Sequence, residues 1–280
     1  MIKNKYIIIF IILVLTLILI YLYKPTYTIR ISKWYGRLGN NIVQVNNAIQ
    51  IGLYYNYNII LPKHPYFNTT YININNRMDS EVIMEDIFFN NNNLYMSLDI
   101  TKDLFNLNIE ETRDILKKIF IIKDIKPLED DTLIIHIRSG DIFTGTPAPL
   151  YINPPLSYYV DIINNNSFNN IYIISEDKQN PIIDRLLNKY HNIIFKVSPL
   201  EEDIKIILSA KNIVYSVGTF IPSLISLSDN IRIVYKPSYE KYKILCNENV
   251  IIHTVDLDEY WDRLYPWLNT KEQVLSMLNY

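Results

Sequence analysis

The sequence predicts an α/β protein whose C-terminal half carries a parallel, doubly wound sheet. Three observations lead there. After residue 128, short β-branched apolar runs alternate with helical patterns in four successive repeats. Three of those runs end in polar, turn-forming residues, and in open α/β sheets that is the edge where ligands sit. A strand–loop–helix–strand pattern precedes them between residues 28 and 61. The expected organisation is an N-terminal segment 1–27, an α/β domain 28–127 and a second α/β domain 128–280.

Composition limits the partners. Net charge is -2, so the overall field offers nothing that would attract nucleic acid. Cys246 is the sole cysteine, which excludes an intrachain disulfide and a cysteine-based zinc site. An apolar fraction of 49% is ample for a core. Asparagine runs at 90–93 and 164–166 read as loops.

Residues Tyr6 to Tyr23 carry no charge, and Thr16 is their one interior polar group. As a helix this stretch spans about 27 Å, enough for a thin bilayer core. Tyr6, Tyr21 and Tyr23 stand where interfacial aromatics belong. A cleaved signal peptide has a shorter apolar region ending in small residues, so the expectation is an uncleaved transmembrane helix. Lys3 and Lys5 on one side face Lys24, Arg30, Lys33 and Arg37 on the other, which leaves orientation open.

Thr28 to Lys33 reads as a strand, followed by Gly36-Arg37-Leu38-Gly39-Asn40. Ile42, Val45, Ile49 and Leu53 then mark one face of a helix to about Tyr55, and Asn58 to Leu61 a second strand stopped by Pro62. Two glycines let the loop backbone approach a ligand, and Asn40 or Asn41 can cap a helix whose N-terminus favours an anion. The third glycine of a dinucleotide fingerprint is missing, and the loop is not a Walker loop. Helices are expected over Glu81–Phe89 and Ile109–Phe120, with a strand over Leu94–Leu98.

Leu133 to Ile137 reads as a strand buried on both faces. It carries His136 and ends at Arg138, where Ser139-Gly140-Asp141 turns the chain. A guanidinium there suits a phosphate, because its planar fork donates two parallel hydrogen bonds and stays protonated. Helices are expected over Leu156–Ile163, Pro181–Tyr190 and Leu200–Ala210, and from Phe220 to about Leu227. Strands are expected over Ile171–Ile174, Ile193–Val197, Ile213–Tyr215 and Ile231–Tyr235. Ser175-Glu176-Asp177 and Ser216-Val217-Gly218-Thr219 would then meet Arg138 at one sheet edge. The Ser216 and Thr219 hydroxyls and the amides of Gly218 and Thr219 suit phosphate, and Asp177 suits a ribose hydroxyl or the N–H edge of a base. Asp130-Asp131 and Asp256-Leu257-Asp258 read as a solvated turn and a helix start, not metal ligands.

Gly36–Asn40 and His136-Ile137-Arg138-Ser139-Gly140-Asp141 resemble the paired motifs of the fucosyltransferase superfamily, which holds the α-1,2-, α-1,6- and protein O-fucosyltransferases. Ser175-Glu176-Asp177 is similar to that family's S-D-D element, and Gly218-Thr219-Phe220 to its S-T-F element. The α-1,2 enzymes usually carry H-x-R-R-G-D and G-N-Q, where this chain has Ser139 and Asn41.

The resemblance implies two Rossmann-like (GT-B) domains facing a cleft and an inverting transfer from a GDP-sugar, GDP-fucose above all, with no metal or other cofactor required. The acceptor would be a glycan or glycoprotein. Arg138 would grip the diphosphate, and His136 and Asp177 would lie near the nucleoside. Thr219 and Phe220 would hold phosphate and base or sugar, while Gly39 and Asn40 would close the site from the first domain. Asp141 is the nearest candidate base, with Glu81, Glu85 and Asp86 as alternatives. The enzyme would be a single-pass, type II membrane protein with its catalytic part in an ER or Golgi lumen. Two sequons, at Asn68 and Asn165, would permit glycosylation there. A sulfotransferase and a non-catalytic anchored carbohydrate-binding protein are the competing classes.

Overall fold

In the computed structural model the described residues are Tyr6, 10–16, 26–75, 80–85, 108–123, 125–242 and 244–280. They form ten strands: β1 (Thr26–Arg30), β2 (Asn58–Ile60), β3 (Tyr71–Ile72), β4 (Ser80–Glu85), β5 (Thr132–His136), β6 (Asn170–Ile174), β7 (Ile193–Phe195), β8 (Asn212–Tyr215), β9 (Ile233–Pro237) and β10 (Ile251–Val255). The helices are α1 (Leu38–Tyr55), α2 (Ile109–Ile119), α3 (Leu156–Asn164), α4 (Pro181–Lys189), α5 (Leu200–Ser209), α6 (Phe220–Ile225), α7 (Asp258–Leu264) and α8 (Lys271–Asn279).

The chain divides into two compact units. The smaller holds Met1–Trp34, Asn47–Lys63 and Thr69–Leu107, the larger Tyr35–Asn46, His64–Asn68 and Asn108–Tyr280. This is not a single cut near residue 127. The loop Gly36–Asn40 and the first half of α1 belong with β5 to β10, not with a separate first domain.

In the smaller unit the sheet order is β3-β2-β1-β4. β1 pairs parallel with β2 and β4, and β3 runs antiparallel to β2. The helix expected over Glu81–Phe89 is therefore corrected: residues 80–85 extend along β1, with Thr26 opposite Ser80. Val82 and Ile83 are β-branched and suit a strand, and a short apolar run has no period that separates the two structures. The strand expected over Leu94–Leu98 lies outside the described residues, as does most of Tyr6–Tyr23. Residues 10–16 are helical with exposed side chains. Among the described residues no helix is long and apolar enough to cross a membrane.

The larger unit carries six parallel strands in the order β7-β6-β5-β8-β9-β10. The chain runs outward from β5 through β6 to β7, returns past β5 to β8, and continues to β9 and β10. That reversal of direction falls between β5 and β8, and in such sheets the crevice for ligands opens there. Every residue of β5 is buried, as a central parallel strand requires. Leu133, Ile135 and Ile137 pack with Tyr159 and Ile162 of α3, Ile182 and Leu186 of α4, Tyr260 of α7, and Met277 of α8. Each such buried side chain stabilises the fold by about 1.5–3 kcal/mol.

Arg113 on α2 is almost fully buried, and its guanidinium serves as a backbone tie. It donates to the carbonyls of Ser226 (3.1 Å) and Ser228 (2.6 Å) and to Asp229 (3.0 Å). Arg113→Ala strands both carbonyls and is expected to cost about 3 kcal/mol, read as a lower urea midpoint with an unchanged slope.

Candidate nucleotide-diphosphate site

Strand register builds the site. His136 of β5 lies level with Ile174 of β6 and Tyr215 of β8, so the next residues of all three strands emerge together. The Arg138 amide donates to the Ser216 hydroxyl at 2.8 Å, joining the two strand ends at the reversal. Asn180 donates from its side chain to the Arg138 carbonyl (2.9 Å) and caps α4 by accepting from the Ile182 amide (3.0 Å).

A cavity of about 470 Å³ opens over this edge, wholly within the larger unit. Gly36 to Asn40, His136 to Ser139 and Asp141 line it, together with Tyr151, Ile174 to Glu176, Leu200, Asp203, Thr219 and Phe220. Its volume falls in the range of small-ligand sites.

The Arg138 side chain is 15% exposed. One terminal nitrogen donates to both Asp141 oxygens at 2.8 Å, and the guanidinium lies 5.1 Å from the centre of the Tyr151 ring. Its Nε is buried with no partner. Arg37 bridges Asp141 (3.1 Å) and Glu176, so two arginines and two carboxylates alternate at the cavity wall. Asp141 is therefore a counter-ion whose oxygens are occupied by guanidinium donors. It is not placed as a free base. Glu81 and Glu85 lie on β4 of the smaller unit, and Asp86 is outside the described residues.

Three expected ligand groups are committed elsewhere. Asp177 accepts from the Ser139 hydroxyl and from the amides of Gln179 (2.9 Å) and Gly140 (3.3 Å). Burial alone would raise its pKa, but these bonds hold it below the ordinary carboxylate value. It fixes the turn after β5, and Glu176 lines the cavity instead. Ser216 is fully buried beneath Arg138. The Gly218 amide donates to buried Glu240 at 2.8 Å, which holds a turn with φ of 96°.

Four lining residues each hold a buried polar atom without a partner: His136 Nδ1, Arg138 Nε, Ser175 Oγ and Asp203 Oδ1. Burial first, and the Arg138 charge second, lower the His136 pKa to about 3, so the imidazole is neutral. Its ring lies 5.7 Å from that of Phe220. Burial, helped by Glu202, raises the Asp203 pKa to about 6. Asp203 and Tyr151 were not singled out from sequence, and Arg37 and Ser175 entered there only as members of the 36–40 and 175–177 motifs. Asp203 looks there like one more acidic residue in the first turn of α5. Among the described residues no group of three or more His, Cys, Asp or Glu is placed to hold a metal.

No family model matches the chain, and no curated protein matches its sequence. Solved structures similar to it include POFUT1 in complex with GDP, at 11% identity and a TM-score of 0.42 over 75% of this chain and 98% of that one. POFUT1 with GDP-fucose matches at 10% identity and a TM-score of 0.43, covering 82% and 98%. The NodZ α-1,6-fucosyltransferase soaked with GDP-fucose matches at 8% and 0.37, covering 73% and 93%.

Gly39 marks the closest approach of the first loop. A Cβ there would lie 2.7 Å from the Phe220 backbone and 2.8 Å from the Thr219 hydroxyl oxygen, which itself donates to Asn40 at 2.5 Å. Gly39→Ala is expected to lower stability by about 1–3 kcal/mol in urea unfolding. Gly145→Ala, where a Cβ meets nothing within 4 Å, serves as the neutral control.

Proposed function

We propose that the larger unit binds a GDP-sugar and that the protein is an inverting glycosyltransferase, fucose being the sugar its motifs favour and a glycan or glycoprotein its acceptor. One observation carries this reading: His136, Arg138, Ser175 and Asp203, each holding a buried polar atom without a partner, line one cavity at the strand reversal. A buried donor or acceptor left unsatisfied costs about 1–3 kcal/mol, so a ligand that reaches these groups is favoured. Phosphate oxygens satisfy Arg138, and a base with adjacent N–H donors satisfies Asp203. A guanosine diphosphate offers both.

The chemistry follows from the charges. As the glycosidic bond breaks, negative charge grows on the diphosphate, and Arg138 with Arg37 stabilises that leaving group. Diphosphate oxygens can take the Arg138 N–H groups that Asp141 leaves open, while Asp141 holds the fork in place. The exposed apolar helical residues Phe10 to Leu15 fit the proposal that the stretch from Tyr6 to Tyr23 anchors the enzyme in a membrane, single-pass and type II, with the catalytic part luminal.

Thermal shift with GDP, UDP, CMP and adenosine 3′,5′-bisphosphate tests the ligand class. GDP is expected to stabilise by about 2.7 kcal/mol at a hundredfold excess over its dissociation constant. Stabilisation by the bisphosphate would favour a sulfotransferase, and by none of the four a non-catalytic role. Arg138→Ala is expected to lower turnover by about 10²–10³-fold while the protein stays folded by circular dichroism.

The pH dependence follows from Asp203. Its folded pKa lies above the ordinary 3.8, so its ionisation destabilises the empty protein as pH rises through about 6. A ligand donating N–H bonds favours the ionised form, so affinity should rise across the same interval. A GDP-sugar is the right probe, because its diphosphate has no terminal phosphate proton to lose near pH 6. Its affinity should climb from pH 5 to 7 in the wild type and stay flat in Asp203→Asn.

A further inference from the structure

The stretch between Arg138 and Tyr151 is held at both ends against the guanidinium. Asp141, in the single 3₁₀ turn Gly140–Phe143, grips it from one side, and the Tyr151 ring covers it from the other. Between them runs Thr144-Gly145-Thr146-Pro147-Ala148-Pro149-Leu150. Its own bonds run from the Thr144 hydroxyl to the Asp141 carbonyl (2.9 Å) and from the Tyr151 amide to the Ala148 carbonyl (3.0 Å), and its two prolines lack N–H donors.

Support comes from the C-terminal end of the chain. Trp267 is fully buried, and its indole donates to the Ile142 carbonyl at 2.8 Å. Its amide donates to the Pro149 carbonyl at 2.9 Å. Its ring meets that of Phe143 edge-on at 6.0 Å. The Asn269 side chain donates to the Phe143 carbonyl, also at 2.9 Å. Three backbone carbonyls of the site loop thus depend on two residues more than a hundred positions away.

The clamp is itself rigidly mounted. Asn269 sits at φ 56°, a left-handed conformation that Asn tolerates, and Thr270 with Gln273 forms a capping box opening α8. Gln273 also donates to the carbonyls of Leu264 (2.8 Å) and Pro266 (2.7 Å) and accepts from the Leu268 amide (2.8 Å). The segment is fastened to the start of α8 on one side and to the loop on the other.

We infer that Trp267 and Asn269 are positioning residues for the diphosphate site, acting through the 140–151 loop on Asp141, Tyr151 and hence Arg138. Neither lines the cavity. The inference rests on the GDP-sugar reading for its functional consequence, and on geometry alone for the bracing. Released from these bonds, the loop lets Asp141 and the Tyr151 ring wander, and the guanidinium loses the orientation its planar fork needs.

Asn269→Gly is the sharpest variant, because glycine accepts the left-handed backbone and only the amide donor is lost. Trp267→Phe keeps an aromatic ring and removes the indole N–H. By calorimetry each is expected to weaken GDP about 5–10-fold. In an Asp141→Asn background the same substitutions should have a much smaller effect, since the bonds they remove, to the Ile142 and Phe143 carbonyls, act on the Asp141 side of the loop. A merely structural role would lower the melting temperature and leave the affinity of the folded protein unchanged, which would overturn the inference. Equal losses with and without Asp141 would do the same. Amide hydrogen exchange separates this from the function itself. Faster exchange over residues 140–151 in both variants supports the bracing, and unchanged exchange sinks it. A wild type that binds no nucleotide refutes the GDP-sugar reading alone.

Discussion

The hydrogen bond from the Arg138 amide to the Ser216 hydroxyl is the tie on which the site depends. It falls just past the last paired residues of β5 and β8, where the chain order of the sheet reverses. The ladder itself ends at His136 and Tyr215, and this bond carries the spacing of the two strand ends one step further. With it, the guanidinium leaves one strand end while Thr219 and Phe220 leave the other, and the cavity lies over both. A serine suits the position because its short side chain accepts a bond close to its own backbone.

Around that tie the charged groups divide by task. Asp177 and Glu240 are spent on backbone amides and hold the turns after β5 and β8. Asp141 and Glu176 are spent on Arg138 and Arg37. Asp203 alone among these carboxylates keeps a buried oxygen with no partner. The triplet Ser175-Glu176-Asp177 thus contains one structural carboxylate and one that lines the cavity.

Close packing explains the first loop. Gly36–Asn40 joins the larger unit because Gly39 leaves no side chain between its backbone and Phe220, and because Asn40 accepts from Thr219. Two motifs separated by 180 residues in the chain are in this way one wall of one cavity. The glycine is needed for proximity, and the asparagine for the bond that proximity permits.

Much of this was legible in the chain alone. The β-branched run ending at Arg138, the helix from Leu38 and the repeats beyond residue 150 declare themselves, because strand and helix periods are local properties of side-chain order. Polar residues at three strand ends likewise announced a ligand edge. Sequence could not say which of those groups a ligand would find free. Ser216, Gly218 and Asp177 are the right chemistry, yet their bonding capacity is taken by Arg138, Glu240 and Ser139, partners fixed only when distant strands and turns meet. Nor could it reveal Asp203, whose single unmet oxygen is a property of its surroundings. Local order thus determined the elements and the edge, while the tertiary structure decided which hydrogen bonds remained open, since that depends on neighbours brought together from across the whole fold.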